Sequence, residues 1–116
     1  MVLGDQVPKK KPAPDVYRAA LARLGRSAQQ CVAFEDSAHG VSAARAAGLY
    51  TVATPTFWTV DQDFSAAQLV LPSFGDPEHH LPEEAWRTLR VPYLDLDELR
   101  RLHAAWTAQE ARAKAH

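Results

Sequence analysis

A chain of 116 residues is long enough for one compact domain with a modest core, which excludes a second large independent domain. Thirteen Lys and Arg against fourteen Asp and Glu leave a formal charge of −1, so there is no electrostatic footprint for a nucleic acid or an anionic membrane surface. Cys31 is the single cysteine, which excludes an internal disulfide, and no apolar run approaches the roughly 20 residues that cross a bilayer.

The first residues, MVLGDQVPKKK, carry their basic side chains after the few apolar ones, the reverse of a secretion signal; a soluble, cytoplasmic protein is expected. Gly4, Pro8 and Pro12 make residues 1 to 13 a loop or extended lead-in. From Pro14, Val16, Tyr17, Ala20, Leu21 and Leu24 fall at helical spacing and Gly25 supplies a left-handed stop, predicting an amphipathic helix. Cys31 to Phe34 is a short apolar run that fits a strand buried on both faces. Residues 38 to 47 predict an alanine-rich helix closed by Gly48, and Tyr50 to Ala53 and Leu69 to Leu71 predict two further strands. Helix, strand, helix, strand is the order of an α/β layered fold with a parallel sheet. Residues 72 to 92 read as connection with a helical turn near 83 to 89. A terminal helix follows, with Leu96, Leu99, Leu102 and Trp106 on one face, Asp95 or Asp97 as its cap, and a frayed AQEARAKAH end.

In an open parallel sheet, ligands sit beyond the carboxyl ends of the strands, and the residues there are Glu35 and Asp36. Adjacent carboxylates beside an apolar core need a positive partner, and Mg²⁺, which takes one or two carboxylates and keeps several waters, supplies one. The same residues also permit a plainer arrangement, with Asp36 or Ser37 capping the next helix and Glu35 solvated at the sheet rim. Lys11 precedes a proline-started helix whose first-turn amides, with the lysine, could hold a phosphate; a solvated lysine run is the alternative.

Lys11-Pro12-Ala13-Pro14-Asp15, followed by Glu35-Asp36-Ser37 and Gly40, resembles the third and fourth motifs of the haloacid dehalogenase-like (HAD) hydrolase superfamily. The branch it is most similar to contains β-phosphoglucomutase and the CbbY-type sugar-phosphate phosphatases, and the similarity runs from about residue 4 to 77. The resemblance implies a partial Rossmann-like, three-layer fold with a short parallel sheet and flanking helices. It makes residues 1–77 the C-terminal half of the core, and 78–116 a connecting segment and terminal helix of the same domain. It further implies that Lys11 bridges the transferring phosphoryl group and the nucleophile, that Asp36 ligates Mg²⁺, and that Glu35 binds the ion directly or through water. Ser37 and Gly40 would be structural, one as a cap and the other letting the helix approach the sheet.

The family's reaction passes through an aspartyl-phosphate on an Asp-x-Asp motif after the first strand. The Asp-x-Asp at Asp95-Leu96-Asp97 has no β-branched run before it and reads as a helix cap. The chain is therefore expected to supply the metal-binding and phosphate-bridging half of a sugar-phosphate phosphatase and to be inactive by itself; the alternative is a non-catalytic half-domain acting only by association. Without a nucleophile strand beside it, Cys31 to Phe34 should present an open apolar edge. Self-association, or pairing with an N-terminal half carrying the nucleophile, would follow. His79 and His80 read as loop residues, His39 as an exposed helix-start residue, Cys31 as a buried unreactive thiol, and Trp58 as an aromatic closing the core or lining the rim.

Overall fold

The structure, a computed structural model, describes residues 2–3, 13–86 and 89–114. Its contacts form two compact units, Met1–Val70 and Leu71–His116, dividing the chain ahead of residue 77. The first unit runs β1 (Val2–Leu3), α1 (Ala13–Leu24), β2 (Val32–Glu35), α2 (Ala38–Ala46), β3 (Tyr50–Ala53) and β4 (Leu69–Val70). The four strands form one parallel sheet in the order β1-β2-β3-β4, so the chain has the expected α/β fold.

Alternation along β2 assigns the sheet faces. Cys31 and Ala33 pack with Tyr17 and Leu21 of α1, Ala43 and Ala44 of α2, and Leu49, so both helices cover the same face. In the parallel register Glu35 lies beside Ala53, which packs with Val41 and Phe64. Glu35 thus belongs to the helix-covered face as the last residue of β2, one position beyond the strand expected from the sequence. Both helices stop in the same way. Gly25 and Gly48 take φ values of 68° and 88°, and the crossed bonds Gly25 N–H to Ala22 O, Arg26 N–H to Leu21 O, Gly48 N–H to Arg45 O and Leu49 N–H to Ala44 O close the last turns. Leu24, at the end of α1, is exposed, so the apolar stripe of that helix ends at Leu21.

The open edge expected on β2 is not found. Val2 pairs with Val32 and Leu3 with Ala33, so part of the lead-in segment is a strand that occupies the main-chain groups on that side of β2. This removes the edge argument for self-association over Val32 and Ala33. On the far side of β3 the Thr51 N–H donates to the Gln68 side chain (2.7 Å) and Gln68 N–H donates to Thr51 O (3.0 Å), leading the chain into β4.

The second unit holds α3 (Glu83–Trp86) and α4 (Leu96–Lys114), and in it Leu71, Leu81, Leu89, Leu94 and Leu99 are buried. Asp95 caps α4, its carboxylate accepting from Glu98 N–H at 2.8 Å. Leu96 is exposed rather than part of the apolar face, and the helix continues through Lys114 where fraying was expected. Glu98 is buried and held by Arg101 (2.9 and 2.5 Å) and by Arg90 N–H (2.6 Å). Among the described residues, no helix is long and apolar enough to cross a membrane.

Two measurements check this packing. Leu49 is fully buried, so Leu49→Ala should lower unfolding stability in urea by about 2–5 kcal/mol, whereas exposed Val60→Ala should stay within about 0.5 kcal/mol of the parent. The Arg101 hydrogen bond, opposed by burial and aided by the Arg90 amide, holds the Glu98 carboxyl below the ordinary glutamate range. A carboxyl lowered on folding stabilises the native state above its unfolded pKa, and that contribution is lost as pH falls through the folded value. Stability should therefore decline below about pH 4.3, and Glu98→Gln should flatten this acid limb while costing about 1–3 kcal/mol at neutral pH.

Candidate active site at the end of strand β2

The candidate site lies in the stretch after Phe34, where Glu35, Asp36, Ser37 and Gly40 are each fixed differently. Glu35 is buried, and a buried carboxylate requires hydrogen bonds; the Tyr17 phenol of α1 donates one to its Oε2. The rest of the carboxylate lies against Gly40 in the first turn of α2. A Cβ built there would stand 2.6 Å from Glu35 Cδ and 3.2 Å from Cγ. Gly40 thus makes room for the Glu35 side chain in particular, which is more specific than letting helix and sheet approach. Ser37 is the N-cap of α2, its hydroxyl accepting from Gly40 N–H at 3.1 Å.

Asp36 lies past the carboxyl end of the sheet and is half-buried. Its carboxylate has no hydrogen-bond or ion-pair partner among the described residues, while its main chain is tied down. The loop after β3 does this. Thr54 N–H donates to Glu35 O (2.9 Å), the Thr59 hydroxyl donates to Asp36 O (2.5 Å), and Ala38 N–H donates to Gln62 Oε1 (2.7 Å). Thr56 braces Thr59 from within the loop, at 2.9 Å through its N–H and 3.2 Å between hydroxyls. Phe57 and Trp58 sit at the tip in an edge-to-face pair, 83% and 85% exposed, so Trp58 does not close the core.

Among the described residues no group of three or more His, Cys, Asp or Glu side chains could hold a metal ion as a protein-only cage. One open carboxylate with a second beside it in sequence is nevertheless a donor set that suits Mg²⁺, whose remaining positions go to water and phosphate oxygens. Cys31 is fully buried and burial raises its thiol pKa, which leaves it without reactive character. His39 is exposed on α2. His79 and His80 are exposed in the other unit, His79 bonded to Asp76 at 3.0 Å. Lys11 lies outside the described residues.

Residues 2–48 match the model of the haloacid dehalogenase-like hydrolases. The chain is also 55% identical over 74 residues to the protein CbbY of Cupriavidus necator, a stretch covering 64% of this chain and 29% of that one. Over the matched region the chain is similar to the haloacid dehalogenase-like hydrolases. CbbY from Rhodobacter sphaeroides, solved in complex with xylulose-1,5-bisphosphate, is similar with a TM-score of 0.53 and 43% identity, over 60% of this chain and 31% of that chain. A fructose-1-phosphate phosphatase of Escherichia coli is 46% identical over 52 residues, 45% of this chain and 28% of that protein. The chain thus spans less than a third of the length of these three relatives, and the family read from the lysine and Glu-Asp-Ser motifs is borne out.

Sequence reasoning missed Tyr17, Thr59 and Gln62. Tyr17 had been read only as part of the apolar face of α1, and nothing periodic marks Thr59 or Gln62. The Gly40 contact yields a prediction. Helix propensity alone would make Gly40→Ala stabilising by about 1 kcal/mol, but displacing the Glu35 carboxylate should instead destabilise by about 1–3 kcal/mol. In a Glu35→Ala background the penalty should shrink, so a double-mutant cycle followed by thermal unfolding should show strong non-additivity.

Proposed function

We propose that this chain supplies the metal-binding and phosphate-bridging part of an Mg²⁺-dependent hydrolase of sugar phosphates that works through an aspartyl-phosphate. One observation carries the reading: a half-buried Asp36 carboxylate, without a partner among the described residues, stands at the carboxyl end of a parallel strand on a main chain fixed by neighbouring groups. The family match and the phosphatase relatives support hydrolysis of a phosphorylated substrate, and the bisphosphate bound to a CbbY structure supports a sugar phosphate.

In this reading Asp36 ligates the ion, Glu35 stays engaged with Tyr17 and reaches it at most through water, and Ser37 and Gly40 shape the turn between them. The ion, when bound, would offset the charge of the phosphoryl group. Lys11 would neutralise that group from the other side. Neither Asp-x-Asp of the 116 residues directly ends a strand, Asp61-Gln62-Asp63 lying well along the loop after β3 and Asp95-Leu96-Asp97 at the start of α4, so in this reading the nucleophile would come from a further polypeptide segment. A reducing compartment such as the cytoplasm suits the free buried thiol of Cys31.

Release of phosphate from an aryl phosphate with Mg²⁺ tests this. The 116-residue chain alone should give no turnover above buffer. Addition of a separate N-terminal half of a CbbY relative, carrying its Asp-x-Asp, should restore activity, and Asp36→Asn or Lys11→Met should abolish it. Turnover by the chain alone would overturn this division of roles, as would restored activity that survives Asp36→Asn.

A further inference from the structure

The turn bearing Asp36 is pinned on both sides by side chains of one loop. The carbonyl of Asp36 accepts from the Thr59 hydroxyl, and the amide of Ala38, two residues on, donates to Gln62 Oε1. A threonine hydroxyl has one proton and two acceptor sites. The proton of Thr59 goes to Asp36 O, so in its contact with Thr56 the Thr56 hydroxyl must be the donor, and the Thr56 amide fills the remaining site. Thr56 Oγ1 in turn accepts from Trp58 N–H at 3.1 Å. Thr59 is therefore fully used, and turning it away from Asp36 would break three bonds at once. Gln62 takes one of the first-turn amides of α2 that the helix cannot satisfy itself, while Ser37 takes another. The carboxylate of Asp36 is left outside this network.

We infer that Thr59 and Gln62 are positioning residues, holding the Asp36 main chain so that its carboxylate meets a divalent cation already aimed. The inference rests on the metal role proposed for Asp36. A ligand carried on a fixed backbone loses only side-chain freedom on binding, and removing such supporting groups typically weakens metal affinity 10- to 100-fold. Thr59 and Gln62 touch no cation themselves; they act through the Asp36 carbonyl and the Ala38 amide.

The probe is Mn²⁺ alone, with free ion measured by electron paramagnetic resonance against the 116-residue chain and its variants. Thr59→Val keeps the shape and deletes the hydroxyl, and should weaken Mn²⁺ binding about ten-fold; Thr59→Ser keeps the hydroxyl and should restore it. Gln62→Leu should weaken Mn²⁺ binding likewise and speed hydrogen exchange at the Ala38 amide without metal. Gln62→Leu carries the same test if Thr59→Val does not fold. If both loop variants bind Mn²⁺ as the parent does while Asp36→Asn loses it, the positioning role is overturned and the metal role of Asp36 stands. If Asp36→Asn binds as the parent does, the metal role itself fails and the inference falls with it.

Discussion

The burial of the Glu35 carboxylate beneath the first turn of α2 is the constraint on which the rest of this site depends. A charged group placed there needs a hydrogen-bond donor and needs space. Tyr17 provides the donor from α1 and the absent side chain of Gly40 provides the space in α2. Two helices and the central strand are thereby locked around one side chain. The next residue, Asp36, is left at the rim of the sheet as the chain leaves β2 for the cap of α2.

This arrangement gives two adjacent carboxylates different roles through their surroundings. Glu35 is consumed by internal contacts and contributes to the shape of the turn, whereas Asp36 keeps its oxygen atoms available and has its backbone restrained instead. A pair of equally exposed acids would repel one another and remain solvated. An acid committed to the interior beside one left open is the arrangement that the proposed metal role of Asp36 needs.

Much of this was readable from the sequence where the determinant is local. The Ser37 cap and the glycine stops at Gly25 and Gly48 depend on two to five neighbouring residues, and the strand at residues 50–53 is a continuous buried run, so those features followed from residue type and spacing. Features set by distant partners did not follow. The Tyr17 to Glu35 bond joins residues 18 apart, and the Thr59 and Gln62 contacts span 23 and 24, with no periodic signal. The two-residue strand Val2–Leu3 exists only because β2 offers it a pairing edge, and no propensity in a stretch punctuated by Gly4 and Pro8 announces it. Trp58 was expected either to close the core or to line the rim, and the Thr56–Thr59 turn carries it outward, away from the core.

The loop anchors have a kinetic consequence. All three bonds from residues 54–62 that shape the acidic turn close within a single strand-helix-strand segment, and none involves residues 71–116. Closing connections of this length costs little entropy and is fast compared with docking of separate parts. The turn that carries Asp36 is thus built to take its final form early in folding, from contacts that all lie within one stretch of chain.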